Sequence, residues 1–564
     1  MLVACGPSRH GPGGDDDDGG VTGPHTETSI VITPTNPIVQ LDLNMPGTQD
    51  FVVTANYADG TTEDVTSQAM WSVANPAVGA MAGATLDIPG FATDSAEVSK
   101  LTATVGAFTG EAQITVAAYR QSGTETDFFF ILPYQDPTGD QMKPLDFSTL
   151  IPSLDVFFLE DTTGSMGGET KNLQAALTGT IVPGIQANLP NTQFGVGAFD
   201  DFPVNGDSGS APCVSGDDTD DQPFKLRQAI TANSTLVQTA VNGLTTASGA
   251  TIGCGGDTPE SGIEAIYQAA TGEGLTGPSP TSVPVNHSGV GGVGFRAGTM
   301  PVIVPITDAI SHDTDDTSAA GTDCGVNYTT PIFTGAGPAH SHEQTEAALS
   351  SICARVVGIA AQDGECDGTA YLTALATSSG ARVPPTAWDV GTRPAGCAAG
   401  QCCTGESGVG VATDADGLCP EVFQVTTSGT GVSQSIVTGI AMLTRFATFT
   451  VPTETAGVMT DIDGNALPSG HTTADFVKAV VPTSFTLPPP PPVVPNPTFD
   501  MTQFYGVTPG TTLTFQVNAF NDFIPSTDQA QIFEATITVT ASGCTPLDQR
   551  NVLILVPPIA IVVQ

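Results

Sequence analysis

At 564 residues the chain has room for several domains, about four on length alone. Its 58 Asp and Glu against 14 Lys and Arg give a formal net charge of −44. That excludes charge-driven binding to nucleic-acid phosphates or anionic lipid headgroups, both of which draw on Lys and Arg. No run of about 18 consecutive apolar residues is present, so no membrane-spanning helix is predicted. Cations are the natural small partners of such a surface, which also keeps an exported protein in solution.

In chain order, residues 1–27 combine Leu2-Val3-Ala4-Cys5 with a Gly-rich tract that carries Asp15 to Asp18. The first motif resembles a bacterial lipobox, which implies cleavage before Cys5 and lipidation of its thiol. The acidic tract reads as a flexible tether. Setting Cys5 aside, the cysteines at 213, 254, 324, 353, 366, 397, 402, 403, 419 and 544 are even in number, and in an exported chain they read as up to five disulfides. Their pairing is open. Cys397, Cys402 and Cys403 lack the spacing of a zinc site.

Residues 28–120 alternate apolar and polar positions between regular turn signals, as in Phe51-Val52-Val53-Thr54-Ala55-Asn56-Tyr57 before Ala58-Asp59-Gly60. This predicts an all-β sandwich with Trp71 in its core. Tyr57-Ala58-Asp59-Gly60-Thr61-Thr62-Glu63-Asp64-Val65-Thr66, then Trp71-Ser72-Val73-Ala74-Asn75-Pro76 and Gly110-Glu111-Ala112-Gln113-Ile114-Thr115-Val116, resemble the bacterial Ig-like group 2 module. That likeness implies a stalk.

From 122 to 445 strands and helices alternate, which predicts a doubly wound, mostly parallel sheet. Leu154, Val156, Phe157, Phe158 and Leu159 form an apolar run of the kind buried on both faces. Leu173, Leu177, Ile181, Ile185 and Leu189 form one helical stripe, bent or broken near Pro183. Further strands are expected at 194–199, whose glycines suggest a close neighbour, at 302–306 and at 354–360. Helices are expected at 234–244 and 432–443, and a cysteine-rich loop at about 363–420. Thr258, Pro259 and Glu260 read as a helix start: N-cap, first turn and dipole partner. Residues 446–564 return to short alternating strands and predict a second β-sandwich, crossed by a stiff polyproline stretch at 488–492.

The carboxyl ends of the central strands carry the chemistry. Asp161, Thr163 and Ser165 place a carboxylate and two hydroxyls at alternate positions just past a buried strand. Asp200-Asp201 and Asp308 end two more strands, and Glu260 stands nearby in the same reading. Carboxylates crowded at one edge repel unless protonated or neutralised, and hard oxygens suit a small divalent cation. Asp161-Thr162-Thr163-Gly164-Ser165-Met166, Gly197-Ala198-Phe199-Asp200-Asp201-Phe202-Pro203, Asp257-Thr258-Pro259-Glu260-Ser261-Gly262 and Thr307-Asp308-Ala309-Ile310-Ser311-His312 resemble the von Willebrand factor A superfamily. They are most similar to the I-like domain of integrin β subunits. The resemblance implies a metal-ion-dependent adhesion site with Asp161, Thr163, Ser165, Glu260 and Asp308 around Mg²⁺ or Mn²⁺. One position of the ion would be left for a carboxylate of a protein partner. It also implies a neighbouring Ca²⁺ site from Asp201, Asp257, Glu260 and backbone oxygen around Pro259, with Gly255 where the family offers asparagine. Of a third flanking site only Glu169 is supplied. The family's specificity loop falls on the acidic stretch around Cys213.

Other motifs carry less. Gly206-Asp207-Ser208-Gly209-Ser210 has no histidine context for a protease triad. His340-Ser341-His342-Glu343 is not the zinc-protease pattern and reads as surface before a helix. Asp461-Ile462-Asp463-Gly464-Asn465 begins like a calcium loop but lacks its closing glutamate, so it reads as a turn. The sequence thus predicts a lipid-anchored bacterial surface protein, not an enzyme, that captures an acidic protein group through a divalent cation. The rival expectation is a metal-stapled envelope scaffold without an adhesive partner.

Overall fold

The computed structural model describes residues 25–122, 126–202, 221–255, 258–276, 282–314, 324, 339–362, 364, 366–391, 393–490 and 493–561. Cys5, Cys213, Asp257 and the stretch 206–210 lie outside the described residues. The chain is a multidomain, strand-rich α/β protein. No described helix is long and apolar enough to cross a membrane.

The N-terminal unit is all β. One sheet holds Glu27–Thr33, Val52–Tyr57 and Thr62–Asp64, and another holds Ile38–Asp42, Phe108–Tyr119, Ser95–Val105 and Met70–Val73. Period-two alternation sends Ile30, Ile32, Val53, Leu101, Ala103 and Ile114 into one core between them. Trp71 packs on that core only partly buried, tilted against Phe51 at 5.8 Å. The far end of strand Phe108–Tyr119 enters a separate apolar joint. There Tyr119 stacks on Phe129 at 4.4 Å, beside Ile532, Leu553 and Leu555.

The next boundary differs from the expectation at 122. Phe128–Ile131 pairs with Thr545–Val556, and Gln141–Ser148 pairs with Thr512–Ala519, so both belong to the C-terminal sheets. Those sheets have six and three strands and meet through Phe504 and Phe515, whose rings cross at 5.1 Å. The α/β unit is therefore inserted into a β unit that the chain starts, leaves and completes.

The insert contains β1 (Leu154–Asp161), α1 (Gly167–Ala176), β2 (Thr192–Phe199), β3 (Lys225–Thr231), α2 (Ser234–Asn242), α3 (Gly262–Thr271), β4 (Met300–Thr307), α4 (His342–Ser351), β5 (Gly358–Ala361), α5 (Thr369–Ser378), β6 (Val422–Val425) and α6 (Val432–Phe446). Its sheet runs β3-β2-β1-β4-β5-β6, with only β3 antiparallel; the short strand Arg355–Val356 also pairs with β4. Every residue of β1 and β4 is buried. The strand order reverses between β1 and β4, and in doubly wound sheets the crevice at that reversal is where ligands sit.

Gly195 and Gly197 on β2 make room for Phe157 of β1: a Cβ on Gly197 would stand 2.7 Å from Phe157 Cζ. Gly197→Ala is expected to cost about 1–3 kcal/mol through overpacking, read as a lowered thermal midpoint.

Two local expectations are corrected, and a third is made specific. The striped helix, expected to bend or break near Pro183, is interrupted just before it: α1 is followed by a π-wound turn, Leu177–Ile181, and by Val182–Gln186. Pro183 has no N–H for the ordinary i→i−4 bond, and the wider turn absorbs the break. The cysteine-rich stretch is not all loop, because α5 lies inside it. Thr258 does not cap a helix. Glu260 N–H bonds the Ile310 carbonyl and its own carbonyl accepts from His312 N–H, so the segment forms a parallel bridge with Ser311 and α3 begins later.

Every described cysteine is disulfide-bonded. The resolved pairs are Cys324–Cys366, Cys397–Cys403, Cys402–Cys419 and Cys353–Cys544, the last tying the insert to the C-terminal sheets. Just before β6, Glu421 is fully buried and neither carboxylate oxygen has a hydrogen-bond partner. Burial holds its pKa well above the usual glutamate value. Its folded pKa exceeds its unfolded one, so the stability it permits is present at low pH. That stability falls as pH rises above about 4.3, where the unfolded chain ionises and the folded one resists. Glu421→Gln should therefore raise the melting temperature more at pH 7 than at pH 4.

Candidate metal-binding site

The crevice between β1 and β4 is lined by the residues that end those strands. Asp161, the last residue of β1, is fully buried. Its Oδ1 accepts from the backbone N–H of Thr163 at 2.9 Å and from the Thr163 hydroxyl at 2.7 Å. Its Oδ2 accepts from the hydroxyl of Thr307, across the crevice on β4, at 2.7 Å. Thr163 Oγ1 stands 3.4 Å from Ser165 Oγ, which donates to Asp308 Oδ1 at 3.1 Å. The four residues thus form a continuous chain of oxygens from one strand end to the other.

Glu260 reaches the same place from the segment before α3. It is 4% exposed and its Oε2 has no hydrogen-bond partner. Gly255 is the marker of its position: a Cβ there would fall 2.5 Å from Glu260 Oε1 and 3.2 Å from Thr163 Cβ. With φ at +70° and that close contact, the position favours glycine, and a larger side chain would push on the Glu260 carboxylate. The Gly164 N–H bonds the Cys254 carbonyl at 2.8 Å and holds the two loops together.

The electrostatics follow from this crowding. Burial, and then the nearby charge of Asp308, hold Asp161 well above the ordinary carboxylate range. Burial, and then Asp161 and Asp201, do the same to Glu260. Asp221 is raised to about 6 by burial and by Asp200. Like charges held together out of water are unfavourable until a proton or a cation neutralises them.

All five residues expected around the first ion are therefore neighbours. Among the described residues no three His, Cys, Asp or Glu side chains are set to hold an ion by themselves. The donor set here is mixed, with the hydroxyls of Thr163 and Ser165 standing between the carboxylates. Hard oxygens of this kind, with an unpartnered buried carboxylate oxygen among them, fit Mg²⁺ or Mn²⁺.

The second expected cluster is only partly described. Asp201 is engaged: its Oδ1 accepts from Phe202 N–H at 2.6 Å and lies 3.2 Å from His312 Nε2. Pro259 is buried beside Glu260, and Asp257 is outside the described residues. Glu169 is buried in the first turn of α1. His340 departs from the surface reading: it stacks on Tyr267 at 3.6 Å and lies 2.9 Å from Glu264 Oε2, while Ser341 caps α4. Asp461 does form a turn, accepting from the N–H groups of Asp463 and Asn465.

Sequence reasoning missed several contributors. Thr307 is the cross-crevice donor to Asp161, and its signal was a hydroxyl immediately before Asp308 at a strand end. Asp221 anchors the Cys254 N–H at 2.7 Å. Asp200, by contrast, was expected among the strand-end carboxylates; it is fully buried, bonded by the Thr162 hydroxyl and 3.6 Å from Lys225 Nζ, so it braces the loop rather than facing the crevice.

No family model matches the chain, and no curated protein matches it. Among solved structures it is similar to the pilus adhesin SpaC from Lactobacillus rhamnosus GG in an open conformation, with 10% identity and a TM-score of 0.28 over 77% of this chain and 50% of that one. It is also similar to a von Willebrand factor type A protein from Catenulispora acidiphila, with 11% identity and a TM-score of 0.26 over 87% of this chain and 74% of that one. The chain spans about half the length of the pilus adhesin.

Proposed function

We propose that the chain is a lipid-anchored surface protein of a bacterium, tethered through Cys5, that binds an acidic group of another protein through a divalent cation. Asp161, Thr163, Ser165, Glu260 and Asp308 would hold Mg²⁺ or Mn²⁺, and Asp201, Asp257, Pro259 and Glu260 a neighbouring Ca²⁺. The observation that carries this reading is the oxygen chain from Asp161 through Thr163 and Ser165 to Asp308, with the unpartnered Glu260 carboxylate beside it. Bound there, the cation supplies positive charge and Lewis acidity to a partner carboxylate that the acidic protein would otherwise repel. The chain's own residues do the rest. Buried Thr307 orients Asp161, the Gly164–Cys254 bond fixes the loop, and Gly255 leaves room for Glu260.

The test is retention on a sensor surface bearing glutamate carboxylates, with the same surface amidated as control. Retention is expected in Mg²⁺, and its loss in excess EDTA and on the amidated surface. Undiminished retention in EDTA would remove the mechanism. The deep burial of Asp161 and Glu260 also favours a second reading, in which the ion mainly staples the domain. A large Mg²⁺-dependent rise in melting temperature with no retention on carboxylates would select it.

A further inference from the structure

Of the resolved disulfides, Cys353–Cys544 alone joins the α/β insert to the sheets that carry it. Cys353 follows α4, and Cys544 lies in the turn between strands Gln531–Ala541 and Thr545–Val556. The backbone itself crosses between the two units before β1 and after α6. The disulfide is therefore a further fastening. It sits at the amino ends of the insert's strands, because the segment after Cys353 runs parallel beside the start of β4. The carboxylate cluster lies at the opposite end of the same strands.

The bond is open to reagents. Cys544 is exposed and Cys353 half-buried, whereas each other resolved pair has at least one cysteine 8% exposed or less. Cys353 also ends its helix in the left-handed region, at φ +51°. Its N–H bonds the Ser350 carbonyl and the Ala354 N–H bonds the Leu349 carbonyl, a closure whose left-handed position usually falls to glycine. A cysteine stands there against local preference, and what it contributes is the bond to Cys544.

Beside the disulfide sits a cation without an anion. Arg355 is 6% exposed, and its guanidinium donates to the Ser379 carbonyl and, at 3.1 Å, to the Ser542 hydroxyl. It lies over the Phe449 ring at 5.2 Å, and its Nε is buried without a partner. Among the described residues no carboxylate pairs with it. Burial lowers its pKa to about 10, which leaves it charged at neutral pH. Ser542 links this charge to the sulfurs, since its carbonyl oxygen lies 3.6 Å from Cys353 Sγ. A neighbouring positive charge stabilises a thiolate, and a stabilised thiolate leaves faster and makes its disulfide easier to reduce.

We propose that Cys353–Cys544 is a thiol–disulfide exchange site for an external dithiol, and that its reduction unlatches the insert from the C-terminal sheets. One thiolate of the dithiol attacks the exposed Cys544 sulfur, forms a mixed disulfide and expels Cys353 as a thiolate beside Ser542 and Arg355. The second thiol of the reagent then displaces Cys544 and closes the reagent's own disulfide. Two electrons pass to the protein, the two thiol protons end on Cys353 and Cys544, and the reagent is oxidised. The latch does not rest on the divalent-cation reading.

The full chain is treated with dithiothreitol in native buffer, quenched with iodoacetamide and mapped by peptide mass. Cys353 and Cys544 are expected to take up label about tenfold or more sooner than the other resolved pairs, with circular dichroism unchanged. Hydrogen exchange should then rise at 353–356 and 541–545 and stay the same at 154–161. Arg355→Gln should slow labelling of the pair about fivefold or more, and Arg355→Lys, which keeps the charge, should restore most of the rate. Should Arg355→Gln fail to fold, the order of labelling and the exchange pattern of the unsubstituted chain decide. The proposal is overturned if another resolved pair opens as fast, or if label enters only as the fold is lost. It is also overturned if exchange at the joint is equal before and after reduction, or if folded Arg355→Gln is labelled at the unsubstituted rate.

Discussion

Asp161→Ala is expected to lower affinity for Mn²⁺ by more than about a hundredfold in isothermal titration, and to abolish retention on a carboxylate surface with it. The size of the effect follows from position. Asp161 is hydrogen-bonded both to the loop, through Thr163, and across the crevice, through Thr307. Removing it deletes a proposed ligand and frees the two hydroxyls it orients. The isosteric Asp161→Asn separates binding from folding, since it keeps the shape and takes one charge from a crowded acidic cluster. In chelator this variant should melt no lower than the unsubstituted chain, while its Mn²⁺ affinity falls. A variant that binds Mn²⁺ normally would place the ion elsewhere.

The largest effect on stability is expected at the opposite end of β1. Asp155 is fully buried and held by Arg296, whose backbone N–H donates at 2.6 Å and whose Nε donates at 2.8 Å. Thr299 adds a hydroxyl at 2.9 Å, and Arg296 continues to Asn191 and to the Leu154 carbonyl. Breaking a buried pair by removing one partner strands the other charge, at about 3–5 kcal/mol. Arg296 keeps some solvent contact, and its backbone and Thr299 would remain. Arg296→Met is therefore expected near the low end, about 3 kcal/mol, or a fall of roughly 6–12 °C in melting temperature. Pairing it with Asp155→Asn should recover part of that loss, as expected for side chains in direct contact. Mn²⁺ affinity should stay unchanged, because the pair sits at the amino end of the strand and the proposed ion site at its carboxyl end.

Much of the central sheet was legible because its signals are local. The run from Leu154 to Leu159 announces a doubly buried strand, and Asp161, Thr163 and Ser165 follow it within a few residues. The glycines at 195 and 197 announced a close neighbour, and Phe157 is that neighbour. What the sequence did not reveal depends on partners far along the chain. Phe128–Ile131 and Gln141–Ser148 read as the opening of the α/β unit, yet their pairing partners lie near the C-terminus, and no local pattern encodes that register. Helix α5 escaped because Thr369–Ser378 mixes small, apolar and hydroxyl residues without a clear polar face. The Thr258-Pro259-Glu260 signal pointed to a helix start, but the bonds of Glu260 to Ile310 and His312 outweigh it and carry its carboxylate to the crevice instead. Local propensity lost there to tertiary bonding, at a residue on which the candidate site depends.

The most direct measurement is a crystal grown with MnCl₂ and examined at the manganese edge. The account predicts an anomalous peak in the crevice between β1 and β4, contacted by the hydroxyls of Thr163 and Ser165 and by carboxylate oxygen from Asp161, Glu260 or Asp308. A crevice without a peak in crystals soaked to saturation, or a manganese ion bound only by other residues, would contradict it.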